Sequence, residues 1–170
     1  MAEFSQKERL QPSLLDRLTD HEPDKQQESR DRRVLSLRQL RESVLRDLSW
    51  LFNTSALDIV EDLDPYPLAA RSTINYGTPD LTGQTASGVD ITAMERHLRQ
   101  VILDFEPRIL RDTVKVQLSR NVSQMNHNAL TFEIEGDLWA QPVPTHILLQ
   151  TEFNLEAGEV RVVDQAGGAR

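Results

Sequence analysis

The sequence predicts an α+β domain in which two main helices and a short N-terminal helix pack on a small antiparallel sheet of three to four strands. Two stretches repeat apolar residues at helical spacing, Leu37, Leu40, Val44, Leu48 and Leu51, then Ile91, Met94, Leu98, Val101 and Phe105. After Arg108 the period drops to two, as Val114, Val116 and Leu118 alternate with polar neighbours and Leu130, Phe132 and Ile134 do the same. Helix therefore precedes sheet, which is the order of an α+β chain.

At 170 residues and 38% hydrophobic content, the chain suits one domain with a polar excess. Residues 1–33 are rich in Gln, Glu, Asp and Arg and predict a mostly flexible tail. Residues 34–165 form the domain, and 166–170 a loose C-terminus. Acidic residues outnumber basic ones by 27 to 19, and the tail's charges nearly cancel, so the domain carries almost all of the net −8. Such a surface repels phosphates, which argues against nucleic acid as a partner. No long apolar run exists for direct membrane insertion. Without cysteine there is no disulfide and no thiolate metal site.

Within the tail, Ser13 precedes Asp16 by three positions, a capping pattern, and Leu14, Leu15 and Leu18 cluster on one side of a short amphipathic helix at 13–19. Helices this short are marginal alone, so this one must dock on its own domain or on another protein. Ser36 and Gln39 form a capping box for the first main helix, whose other face carries Arg38, Arg41, Glu42, Arg46 and Asp47 as a solvated surface. Trp50 and Phe52 near its end are expected in the core or packed at the helix cap.

From Asn53 to Val89 periodicity disappears and prolines and glycines punctuate a long connection. Ile74, Tyr76 and Leu81 are its natural anchors, which predicts an ordered loop. It lacks the glycine spacing and the lysine of a phosphate-binding loop. Asp90 caps the second main helix, Ile102 widens its apolar stripe, and Pro107 ends it at Phe105 or Glu106. A carboxylate at Glu106 opposes the helix dipole and needs a cation, for which Arg108 is nearest. Residue chemistry leaves two readings open, a local ion pair or a charged corner displayed to a partner.

In the sheet, Gly136 is expected to bulge or end the second strand. Pro142 and Pro144 precede a third strand, with Ile147, Leu149, Thr151, Phe153 and Leu155 on one face. Glu156 to Glu159 then turn into a last strand over Val160 to Val163. The four histidines are scattered, and no metal or cofactor is expected. Glu133 and Glu135 are the nearest approach to a catalytic pair, about 7 Å apart on one strand face. That face points to solvent, where nothing raises a carboxyl pKa, so no catalytic residue is expected.

Leu40 to Leu48 followed by Leu51-Phe52-Asn53-Thr54, then Ser72 to Asp80, then Phe105-Glu106-Pro107-Arg108, together resemble the TssE family. These are small baseplate subunits of the bacterial type VI secretion system, kin to phage baseplate wedge proteins long labelled lysozyme-like. The resemblance spans about Leu14 to Val163. It implies a non-enzymatic structural subunit that joins other wedge subunits, gives contractile sheath subunits a sheath-like platform, and has the tail spike or hub as a neighbour. The implied place is cytoplasmic, in a baseplate docked at the inner membrane of a Gram-negative bacterium. Glu106, Pro107 and Arg108 match the family's Glu-Pro-Arg docking motif, which favours the displayed corner. Arg108→Ala is then expected to spare the fold and weaken assembly. Val160 and Val162 would lie on an edge open to strand addition, and Leu14, Leu15 and Leu18 would offer a second docking element. The alternative implied by the family's label is a peptidoglycan-cleaving glycosidase.

Overall fold

The computed structural model describes residues 13–19, 24, 36–119, 128–140 and 143–165. The expectations for the rest of the tail, for Pro142 and for the C-terminus from 166 lie outside the described residues. Helix α1 covers Leu14–Leu18, α2 Leu37–Phe52, α3 Pro67–Ala70 and α4 Ile91–Phe105. Strands β1 Lys115–Leu118, β2 Ala129–Leu138, β3 Thr145–Asn154 and β4 Val160–Asp164 follow in a sheet ordered β1-β2-β3-β4, with every neighbouring pair antiparallel.

Helix α2 begins at its capping box, where the Gln39 amide donates to Ser36 Oγ and the Ser36 amide donates to Gln39 Oε1. Leu40, Val44, Leu48, Leu51 and Phe52 are buried, whereas Leu37 is half exposed, so the buried stripe starts one turn later than its spacing predicts. Helix α4 is capped by Asp90 and buries Met94, Leu98, Val101 and Ile102. It stops at Phe105, where the approaching proline removes the next helical donor. Both stripes meet Val116, Leu130, Phe132, Ile134, Ile147, Leu149 and Phe153 in a single core. Phe132 and Phe153 pack edge to face at 5.7 Å, and Phe52 joins Phe153 at 6.1 Å.

Strand β2 neither bulges nor ends at Gly136. The glycine pairs with Ile147 and the ladder runs on to Leu138 opposite Thr145. Its missing side chain serves a close approach instead, because a Cβ there would lie 2.8 Å from Ile109 Cγ2. That contact lets the chain after α4 pair with the end of β2. Leu110 N donates to Asp137 O at 2.8 Å and Trp139 N donates to Arg108 O at 2.7 Å.

The 53–89 connection is ordered, though not by all the expected anchors. Leu81 is buried and Tyr76 packs edge to face on Phe105 at 5.3 Å, but Ile74 points to solvent. Asn75 takes its place as an anchor. The Asn75 side chain accepts from Asp58 N at 2.9 Å and donates to Ala70 O at 3.0 Å. Trp50 likewise departs from expectation, being half exposed beneath the Arg46 guanidinium at 5.2 Å.

Candidate partner-docking corner

The corner between α4 and β1 is built from the inside. Glu106 is only 3% exposed, and its carboxylate receives a bidentate grip from Arg108, Nε to Oε1 at 2.7 Å and Nη2 to Oε2 at 2.5 Å. The Arg108 amide also donates to Oε1 at 3.1 Å. The remaining edge of the guanidinium reaches α2, with Nη2 to Asp47 Oδ2 at 2.6 Å and Nη1 to Ser43 Oγ at 3.2 Å. Burial alone would lower the Arg108 pKa, but the hydrogen bonds and charges of Glu106 and Asp47 outweigh it and push the pKa upward. Arg108 is therefore a fixed cation. Pro107 stands exposed at the tip, Arg108 is part-buried, and the Arg108 carbonyl accepts from the amide of Trp139, just past the end of β2.

Ser43 and Asp47 complete the corner from α2, a contact that the sequence does not announce. Their i,i+4 spacing puts them on one face of α2, and a small polar residue inside an apolar stripe is the available signal. Asp47 is no free member of a solvated face, because Arg46 Nε donates to its other oxygen at 2.8 Å. Arg46 Nη1 in turn donates to Asp16 Oδ1 of α1 at 2.6 Å. Charges thus alternate without a break from Glu106 through Arg108, Asp47 and Arg46 to Asp16. The N-terminal helix is attached in cis by this ladder and by no buried side chain of its own. Leu14 and Leu18, 71% and 74% exposed, remain open, and Leu15 is also exposed.

The burial of Glu106 bears on the expectation that Arg108→Ala spares the fold. Removing the guanidinium leaves a carboxylate inside the protein without a cation, a change that costs about 3 to 5 kcal/mol at buried pairs.

The motif from Ser72 to Asp80 closes over the same region. Tyr76 OH donates to Asp47 O at 3.3 Å, and burial, then the charges of Asp47 and Glu106, raise its phenol pKa. Gly77 adopts φ +140°, and a Cβ there would lie 2.3 Å from Thr54 O, so glycine is required for the loop to lie against the end of α2. Thr78 then donates its amide to Thr54 O at 2.8 Å and its hydroxyl to Phe52 O at 3.2 Å. The three segments that carry the family resemblance are one structural unit around the corner.

On the far side, β4 is an edge strand. Asn154 N donates to Glu159 O and Gln165 N to Leu148 O, so the alternation of an antiparallel ladder turns the backbone groups of Val160 and Val162 away from β3. Asn53 caps the first of these, its Oδ1 accepting from Val160 N at 2.9 Å and its Nδ2 donating to Val160 O at 2.7 Å. Val162 is the next outward position.

Glu133 and Glu135 each have partners of their own. Glu133 accepts from Ser119 Oγ at 2.9 Å, and Glu135 lies 3.2 Å from Lys115 Nζ and 3.9 Å from His146 Nε2 on the outer sheet face. Among the described residues no three His, Asp or Glu side chains converge as a metal site, and no helix is long and apolar enough to cross a membrane. His21 and His127 lie outside the described residues.

Residues 38–143, well over half of the chain, match the family model of baseplate wedge protein gp25. The match contains α2 from Arg38 onward, the contact of Gly77 and Thr78 with Thr54, α4 and the corner; α1, β3 and β4 lie outside it. No curated protein and no solved structure matches the chain significantly.

Proposed function

This chain belongs to the baseplate wedge protein gp25 family, and from that membership we propose that it is the TssE-type wedge subunit of a type VI secretion baseplate. In this role it joins neighbouring wedge subunits in the cytoplasm, beneath a contractile sheath, in a baseplate docked at the inner membrane of a Gram-negative cell. The observation that carries the proposal is the corner itself. Arg108 is locked by Glu106, Asp47 and Ser43, so Pro107 and the outer part of Arg108 meet a partner with little entropy left to lose.

Glu106 acts in this scheme as the residue that positions Arg108, and Pro107 fixes the tip. Leu14, Leu15 and Leu18 provide a second contact, brought beside the corner by Asp16 and Arg46. The β4 edge, with Val160 sealed by Asn53 and Val162 turned outward, accepts an extended arm of a sheath subunit by strand addition. The tail spike or hub is a further neighbour of this layer.

The test is coexpression of the tagged chain with type VI wedge and sheath subunits. Retention of wedge subunits and growth of sheath support the reading. Clearing of peptidoglycan by the purified protein, abolished by neutralising one carboxylate, would favour the lysozyme-like alternative instead.

A further inference from the structure

The stretch from Leu57 to Tyr76 is built inside out. Three short helical turns, Leu57–Ile59, Pro67–Ala70 and Thr73–Asn75, pack against one another. What they enclose is polar, because Asn75 is buried and its side chain joins Asp58 and Ala70. Five large apolar side chains of the stretch are instead exposed, while Leu57, Leu63 and Tyr76 are half-buried. Leu68 is 89% exposed and Val60 77%, and Ile59, Tyr66 and Ile74 of the same stretch are exposed too. A polar hub beneath an apolar exterior reverses the usual partition of side chains, and grouped apolar exposure of this kind marks an interaction surface.

The charge of the same span is one-sided. Asp58, Glu61, Asp62 and Asp64 are exposed acids, and the span's one cation, Arg71, binds Asp104 at 2.9 Å. A second copy of this acidic chain would meet like charge there, and an anionic membrane or nucleic acid would be repelled. The turns also present no strand edge to extend. We propose that this surface takes a basic amphipathic helix of a neighbouring baseplate subunit. Its apolar stripe lies on Val60, Leu68 and Ile74, and its Lys or Arg residues face Glu61, Asp62 and Asp64. The proposal rests on the baseplate reading above, but uses a surface distinct from the corner and from the β4 edge.

A photo-crosslinking amino acid at Leu68 of the full chain, coexpressed with the wedge subunits, tests it, with circular dichroism confirming the fold. The expected crosslink maps to a positively charged segment of a wedge subunit with apolar residues at helical spacing. The triple variant Glu61→Lys, Asp62→Lys, Asp64→Lys should cut its yield by roughly tenfold. A crosslink to an acidic or neutral segment, to a second copy of the chain or to lipid overturns the proposal. So does the absence of any crosslink while wedge subunits still copurify. If no wedge subunit copurifies at all, the baseplate reading falls first and this inference with it.

Discussion

Arg108 binds Asp47 across the gap between the α4 corner and α2, Nη2 to Oδ2 at 2.6 Å, while the same nitrogen holds Glu106. One guanidinium thereby ties the chain just after α4 to α2. The residues proposed to dock a partner are also a structural brace.

Removing Arg108 alone should therefore destabilise the protein by about 3 to 5 kcal/mol, because Glu106 stays buried without its cation. The Glu106→Ala, Arg108→Ala double variant should be less destabilised than the sum of the two single changes. A double-mutant cycle by urea unfolding measures the difference. Simple additivity would show that the pair is not coupled.

Gly136→Ala should cost about 1 to 3 kcal/mol, since the new methyl meets Ile109 Cγ2. Shortening Ile109 to alanine removes that obstacle, so the second change should cost less in the Gly136→Ala background than in wild type. Thermal unfolding of the four proteins checks this.

Burial lowers the His97 pKa below its ordinary 6.5, against the opposing charge of Asp58. The folded state favours the neutral ring, so its stability contribution is complete above 6.5 and falls as pH drops toward the folded value. Urea midpoints measured at about pH 7.5 and about pH 5.5 should differ less for His97→Gln than for wild type. An unchanged difference would remove His97 from the pH response.

Val162→Pro removes an amide that points away from β3 and so takes no part in the β3–β4 ladder. The isolated protein should keep its fold, as judged by circular dichroism, and lose the ability to start sheath growth. Normal sheath assembly on this variant would exclude strand addition at this edge.

Much of the fold was legible because it is written in periodicity. The stripes of α2 and α4, the stop at Pro107 and the alternating strands each follow from spacing and one local rule, and the structure has these elements, with the buried stripe of α2 starting at Leu40. What escaped depends on contacts between distant segments. Asp47 looks solvated on a helical wheel, and the return of the chain at Arg108 gives it a partner from outside its own helix. Gly136 looks like a breaker until Ile109 is laid against it. Asn75 looks like a turn former, yet becomes the buried hub of three turns because Asp58 and Ala70 converge on it. The corner was visible as Glu-Pro-Arg, but its inward-facing half could not be read from those three residues.

On the reading proposed above, the braced corner docks wedge subunits. Its most direct measurement is copurification of wedge and sheath subunits with tagged wild type and with the Glu106→Ala, Arg108→Ala double variant, after circular dichroism shows both folded; if the double variant is unfolded, the exposed tip variant Pro107→Gly takes its place. The account predicts that the folded variant loses the wedge subunits. Equal recovery by both proteins would contradict it, leaving the charge pair as an internal brace alone.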